Sequence, residues 1–177
     1  MGKLNQIDKA AESKGSLLVT IWQFVKFIVV SLLAMIVQFV LLNTLNLIPA
    51  IADLYNQDFA WWVFIYPVAV GGLGYFIVSN VANIIAQIVA FFVNKEKTFN
   101  SGANVAVTLP IYIIFTIALI FFSAWLNPTL KEVFVGLGLE EVASKNIATM
   151  ICSAVQFFLY FPVDKILFHK KKEEKAE

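Results

Sequence analysis

The sequence predicts an all-α membrane protein: four transmembrane helices arranged as two parallel-related helical hairpins, with short interfacial helices on the outer side. Three observations predict it. The 177 residues are 60% hydrophobic and only 14% charged, where a soluble domain carries about 25% charged residues. Four windows, 22–45, 73–93, 105–126 and 147–168, each hold a mostly apolar run of the length, about 20 residues, needed to cross a bilayer. The third observation is a polar stripe that occurs twice. Asn80, Asn83, Gln87 and Asn94 share one helix face, and adding 66 to each number gives Asn146, Thr149, Ser153 and Tyr160, with Gln156 opposite Ala90 and Phe91-Phe92 repeated as Phe157-Phe158. That spacing is the helical one.

Residues 1–16 form a polar N-terminal arm in which Leu4, Ile7, Ala10 and Ala11 recur at helical spacing. A surface helix on the membrane and an unstructured arm both fit. The membrane domain then runs over 17–168. Its first span is too long for the apolar core of a signal peptide and lacks a small-residue cleavage pattern after it, so it is expected to stay as an anchor. Ser31 and Gln38 are the strongly polar side chains of its middle, and Lys26 near its start can snorkel to the headgroups. After Asn46 and Pro49 comes an aromatic stretch with Phe59, Trp61, Trp62, Phe64 and Tyr66. Because Trp and Tyr favour headgroup depth, residues 59–70 read as an interfacial helix or re-entrant segment, broken from the second span by Pro67, Gly71, Gly72 and Gly74.

The third span places Thr108, Tyr112, Thr116 and Ser123 on one face. Hydroxyls can bond back to their own helix, so this stripe weighs less than the amides; Ser123 corresponds to Gln38. Asn127-Pro128 then reads as the start of a second outer interfacial helix carrying Leu130, Val133, Phe134 and Leu137. Residues 169–177 form a charged tail, with His169 expected in solvent and Lys170, Lys171 and Lys172 near lipid headgroups.

Eleven of the 13 lysines lie in the N-terminal part up to Lys26, at Lys95 and Lys97, or from Lys165 onward; only Lys131 and Lys145 fall on the other side. The excess orients both termini and the 94–104 loop to the cytoplasm of a cell membrane. Arginine is absent, which removes the best bidentate phosphate ligand. The lone Cys152 is expected to pack inside its span and supports neither a disulfide framework nor a metal cluster. No mid-span carboxylate offers a proton relay, no Gly-rich phosphate loop is present, and the loops are too short for a nucleotide-sugar domain. The chain is not expected to be an enzyme, to carry a metal or cofactor, or to bind nucleic acid.

Several segments together resemble one known family. Lys26-Phe27-Ile28-Val29-Val30-Ser31, Phe91-Phe92-Val93-Asn94-Lys95, Thr98-Phe99 and Asp164-Lys165 through Phe168 are similar to the GtrA-like family of small four-span membrane proteins. The sharpest part is residues 92–99, similar to an aromatic, Asn-Arg, Thr-Phe signature, with Lys95 where arginine is usual. The resemblance implies translocation of a polyprenyl-phosphate-linked monosaccharide for glycosylation of a cell-surface polymer such as teichoic acid, with a membrane glycosyltransferase as partner.

Such a substrate needs cations for phosphate near the membrane surface and hydrogen-bonding groups along the path of the sugar. Lys26, Lys95, Lys97 and Lys165 are the candidate cations. Gln38, Asn80, Asn83, Gln87, Asn94, Ser153, Gln156 and Tyr160 are the candidate path, and Asp164 continues the second stripe four residues after Tyr160. Polar residues inside spans also serve as glue between helices. A non-transporting scaffold that recruits a glycosyltransferase is therefore the alternative, and a homo-oligomer fits a chain with so small a wall.

Overall fold

The computed structural model describes residues 3–169, without the side chains of residues 3–5 and 142. The tail lysines Lys170, Lys171, Lys172 and Lys175 lie outside the described residues. The N-terminal arm is a helix, α1 (Lys3–Ser13), and it folds back along α2 (Ser16–Leu45). Between them Gly15 takes φ 109°, a left-handed value that glycine adopts without a Cβ penalty. Helix α2 has 30 residues, about 45 Å at 1.5 Å per residue. It is thus longer than a hydrocarbon core of about 30 Å and reaches into the headgroups.

A compact connection follows: α3 (Pro49–Ala52), a 3₁₀ turn (Asp53–Asn56), strands β1 (Phe59–Trp61) and β2 (Phe64–Tyr66), and a second 3₁₀ turn (Val68–Val70). The interfacial helix that is one of the two expectations for 59–70 is therefore corrected to an antiparallel hairpin, with Phe59 opposite Tyr66 and Trp61 opposite Phe64. The physical reason lies in a period of two. Phe59 and Trp61, then Phe64 and Tyr66, alternate along extended backbone, and the hairpin stacks its rings on the helices. The Phe64 ring lies 4.9 Å from Phe121 and 5.1 Å from Phe76.

Helix α4 (Gly72–Val93) starts hard against this connection. Gly72 has φ 55°, and a Cβ there would stand 2.2 Å from the Gln57 carbonyl oxygen; the Leu73 N–H donates to that same oxygen at 2.8 Å. At its other end α4 widens into a π turn, Asn94–Thr98, whose Asn94 carbonyl accepts from the Phe99 N–H at 2.9 Å. This turn buries Asn94, Lys95 and Thr98.

Helix α5 (Val105–Gly136) is capped by the Asn104 side chain, which accepts from the Ala106 N–H at 2.9 Å. It runs on through Pro128 without a break, so the expected second interfacial helix is corrected to the last turns of α5. Proline removes one N–H donor. Here the loss is offset by packing against α6 (Glu141–Leu167), where Asn127 Nδ2 donates to Thr149 Oγ1 at 3.1 Å and Lys131 pairs with Glu141. The Lys131 hydrogen bond, then its charge, holds the Glu141 carboxyl below the usual range.

Four helical stretches, Ser16–Leu45, Val68–Thr98, Val105–Gly136 and Ala143–Leu167, are long and apolar enough to cross a membrane. Their outward apolar side chains, such as Phe39, Ile114 and Ile166, are largely exposed, as lipid-facing residues are. Helix α2 packs chiefly on α4, α5 on α6, and α4 on α5, while α2 touches α6 only sparsely. Small residues allow the close α2–α4 approach, where Ala34 meets Ala86 and Ala90 beside Val30.

Candidate functional site

Where α2 and α6 diverge, a cavity of about 150 Å³ opens between all four helices, equal to the liquid volume of roughly five waters. Its polar wall consists of Ser31 and Gln38 from α2, Gln87 from α4, Asn94 at the π turn, Tyr112 from α5, and Ser153, Gln156 and Tyr160 from α6. Phe27, Ala34, Met35, Ala90 and Phe157 complete it. Among the described residues no charged side chain lines it. At the α1 end the opening is shut by rings: Phe24 and Phe27 of α2 lie 5.0–5.7 Å from Phe157 and Phe161 of α6. Farther along, exposed Met35 and Ser153 flank the gap.

Part of this polar wall is already bonded. Tyr112 donates to Gln87 Oε1 and Tyr160 to Thr116 Oγ1, each at 3.1 Å, and Gln156 Nε2 donates to Ser123 Oγ. The Ser31 hydroxyl returns to the Phe27 carbonyl at 2.9 Å. The remaining capacity faces the cavity. Gln38 and Ser153 have no side-chain hydrogen bond among the described residues, and the Gln87 amide nitrogen and Gln156 amide oxygen are likewise uncommitted. A polar group left unmatched away from water costs about 1–3 kcal/mol, so the wall is built to meet water or a hydroxyl-bearing group.

Below this wall lies a buried relay. Asn94 Nδ2 donates to Asp164 Oδ2 at 2.7 Å, and Thr98 Oγ1 donates to Asn94 Oδ1 at 2.8 Å. Asp164 is 0% exposed, and its Oδ1 has no partner.

The two halves repeat one another in their contacts. The Tyr112 ring lies 5.2 Å from Phe91, and the Phe27 ring lies 5.2 Å from Phe157; the pairs are related by 85 on α2 to α5 and by 66 on α4 to α6. The same offset of 85 matches Ser31 with Thr116 and Gln38 with Ser123. They differ beside the cavity. Gln156 fills the space to Ser123, whereas its counterpart Ala90 leaves Gln38 facing open space.

Of the sequence-predicted residues, the fold brings Gln38, Gln87, Asn94, Ser153, Gln156 and Tyr160 to one cavity, with Asp164 directly behind Asn94. It does not bring the others there. Asn80 Nδ2 donates back to the Phe76 carbonyl at 2.7 Å, and half-buried Asn83 lies outside the wall. Lys26 pairs with Asp8 at 2.9 Å, Lys95 is buried and donates to the Ser101 carbonyl at 3.0 Å, Lys97 is exposed, and Lys165 donates to Thr20 Oγ1 at 2.7 Å. Sequence reasoning left Ser31 and Tyr112 out of the site. Helical spacing marks both, since Ser31 lies seven residues before Gln38 and Tyr112 lies between Thr108 and Thr116 on one face. Among the described residues no cluster of three or more metal-ligating side chains is present. Comparison with protein-family models, curated proteins and solved structures returned no match.

Proposed function

We propose that the chain translocates a polyprenyl-phosphate-linked monosaccharide across a cell membrane, as the resemblance to the GtrA-like family implies. The observation that carries this reading is the laterally open, uncharged, amide- and hydroxyl-lined cavity. A sugar leaving water loses hydrogen bonds that amides and hydroxyls can replace, while its lipid tail stays in the bilayer through the α2–α6 gap. The matched contacts of the two halves support a pair of parallel-related hairpins with the cavity on their shared axis. The lysine excess at the α1 end supports both termini facing the cytoplasm. With no energy source in the chain, net flow follows consumption of the glycolipid on the far side, for glycosylation of a surface polymer by a membrane glycosyltransferase.

The second reading, a scaffold that holds such a glycosyltransferase, is favoured by the bonds that tie stripe residues to neighbouring helices, Gln156 to Ser123 and Tyr160 to Thr116. Vesicles reconstituted with the protein and a short-chain polyprenyl-phosphate sugar separate the two. Headgroup translocation faster than in empty vesicles is expected; equal rates would sink the transporter reading.

A further inference from the structure

At the α1 end a second, smaller cavity of about 60 Å³ lies between α1, α2 and the turn after the π segment, lined by Asp8, Glu12, Trp22, Gln23, Lys26, Thr98 and neighbours. Two donors converge on one oxygen beside it. The Trp22 indole N–H donates to Asp8 Oδ1 at 2.6 Å, and the Lys26 ammonium donates to the same atom at 2.9 Å. The ammonium also stands 5.8 Å from the centroid of the Trp22 ring, where ring and cation attract and hold each other in place. Within the same cavity the Gln23 amide oxygen is buried without a partner.

We propose that Trp22 and Lys26 form a binding site for a phosphate oxyanion, and that Asp8 of α1 occupies this site as an intramolecular stand-in until such a ligand displaces it. An ammonium and an indole N–H aimed at one point suit an oxyanion, since charge-assisted bonds are the stronger ones. The orphaned Gln23 oxygen adds a requirement for a nearby hydroxyl donor, which a phosphate bound to a sugar supplies. The stand-in is removable. Lys26 is nearly buried at 11% exposure but Asp8 is 32% exposed, and such a partly solvated pair is worth at most about 1 kcal/mol. Glu12 shares the cavity wall and would repel an anion, so α1 must swing aside, and Gly15 with its φ of 109° is the joint on which it turns. The masked site deepens the transporter reading by assigning the phosphate of its substrate to one of the four candidate lysines.

The test uses the full chain in nanodiscs with Trp61, Trp62 and Trp125 replaced by Phe, which leaves Trp22 as the only indole of the four. Its emission is followed as inorganic phosphate, or a short-chain isoprenyl phosphate without sugar, is added. The parental protein is expected to bind. Asp8→Asn is expected to bind about five-fold tighter, the affinity equivalent of about 1 kcal/mol, and Lys26→Gln to abolish the response in both backgrounds. Stronger binding of one ligand identifies the source as lipid-borne or free phosphate. The proposal is overturned if neither ligand binds, if Asp8→Asn gains nothing, or if Lys26→Gln retains the response. The ligands lack sugar and the readout is binding, so a protein that binds here without moving a headgroup refutes the transporter reading and leaves this site standing.

Discussion

Position 90 is where the two halves differ in side-chain size beside the cavity. Ala90 stands where the second half has Gln156, whose side chain reaches Ser123; Ala90→Gln would reach toward Gln38 and fill the space between them. Translocation of a sugar headgroup per folded protein is expected to fall at least about ten-fold, or 1.4 kcal/mol, and thermal stability to fall with it, because Ala90 is buried in the close α2–α4 contact; retained transport would show that the path runs elsewhere. Asn94 presents the opposite case. Its Nδ2 is the single donor to a fully buried carboxyl group, and Asn94→Ala leaves both Asp164 oxygens unmatched. Leaving a buried polar group without its hydrogen-bond partner costs about 1–3 kcal/mol. The double variant Asn94→Ala/Asp164→Ala is expected to fall short of the summed single costs by at least about 1 kcal/mol, read from unfolding in detergent. Strict additivity would mean that the two groups do not act as a unit.

Among the elements, the connection from α2 to α4 departs furthest from its sequence reading, and its aromatic content is the reason. Trp and Tyr signal headgroup depth in any conformation, so the same residues fit a helix or a hairpin; only their alternate spacing, Phe59, Trp61, Phe64 and Tyr66, separates the two. The start of α4 depends on that hairpin being in place. Gly72 presses against the Gln57 carbonyl with a left-handed backbone, and Gly72→Ala adds a backbone clash to conformational strain. A loss of about 2 kcal/mol or more is expected, seen as a lower melting temperature with faster proteolysis between residues 46 and 72. An unaltered melting curve would mean the connection yields without cost. Helix α5 teaches the converse lesson about Pro128. In the sequence Asn127-Pro128 reads as the start of a new helix, yet packing against α6 carries the old one through.

For the molecule as a whole, the α4–α5 and α2–α6 interfaces are unequal. The α4–α5 seam is fastened by Tyr112 on Gln87 and on Phe91, whereas the α2–α6 seam is held by phenylalanine rings at one end and then parts. In a Cys152→Ser background, a short bifunctional crosslink between Phe27→Cys and Phe157→Cys is expected to stop headgroup translocation. The matched crosslink between Phe91→Cys and Tyr112→Cys is expected to leave most of the rate that this pair shows before crosslinking. Equal effects would remove the α2–α6 gap as the lateral port. The sequence by itself determined the four apolar helices and the repeated polar stripe, because hydropathy and a 3.6-residue period are properties of the chain alone. It also marked six residues of the cavity wall, since polar groups in an apolar helix stand out wherever they end up. Only the tertiary structure decided that Asn80 turns back on its own helix, that Lys26 and Lys95 are taken by partners within the chain, and that Ala90 leaves a space its repeat fills. Those outcomes depend on which groups meet across helices, and distance between helices is not written in the spacing along any one of them.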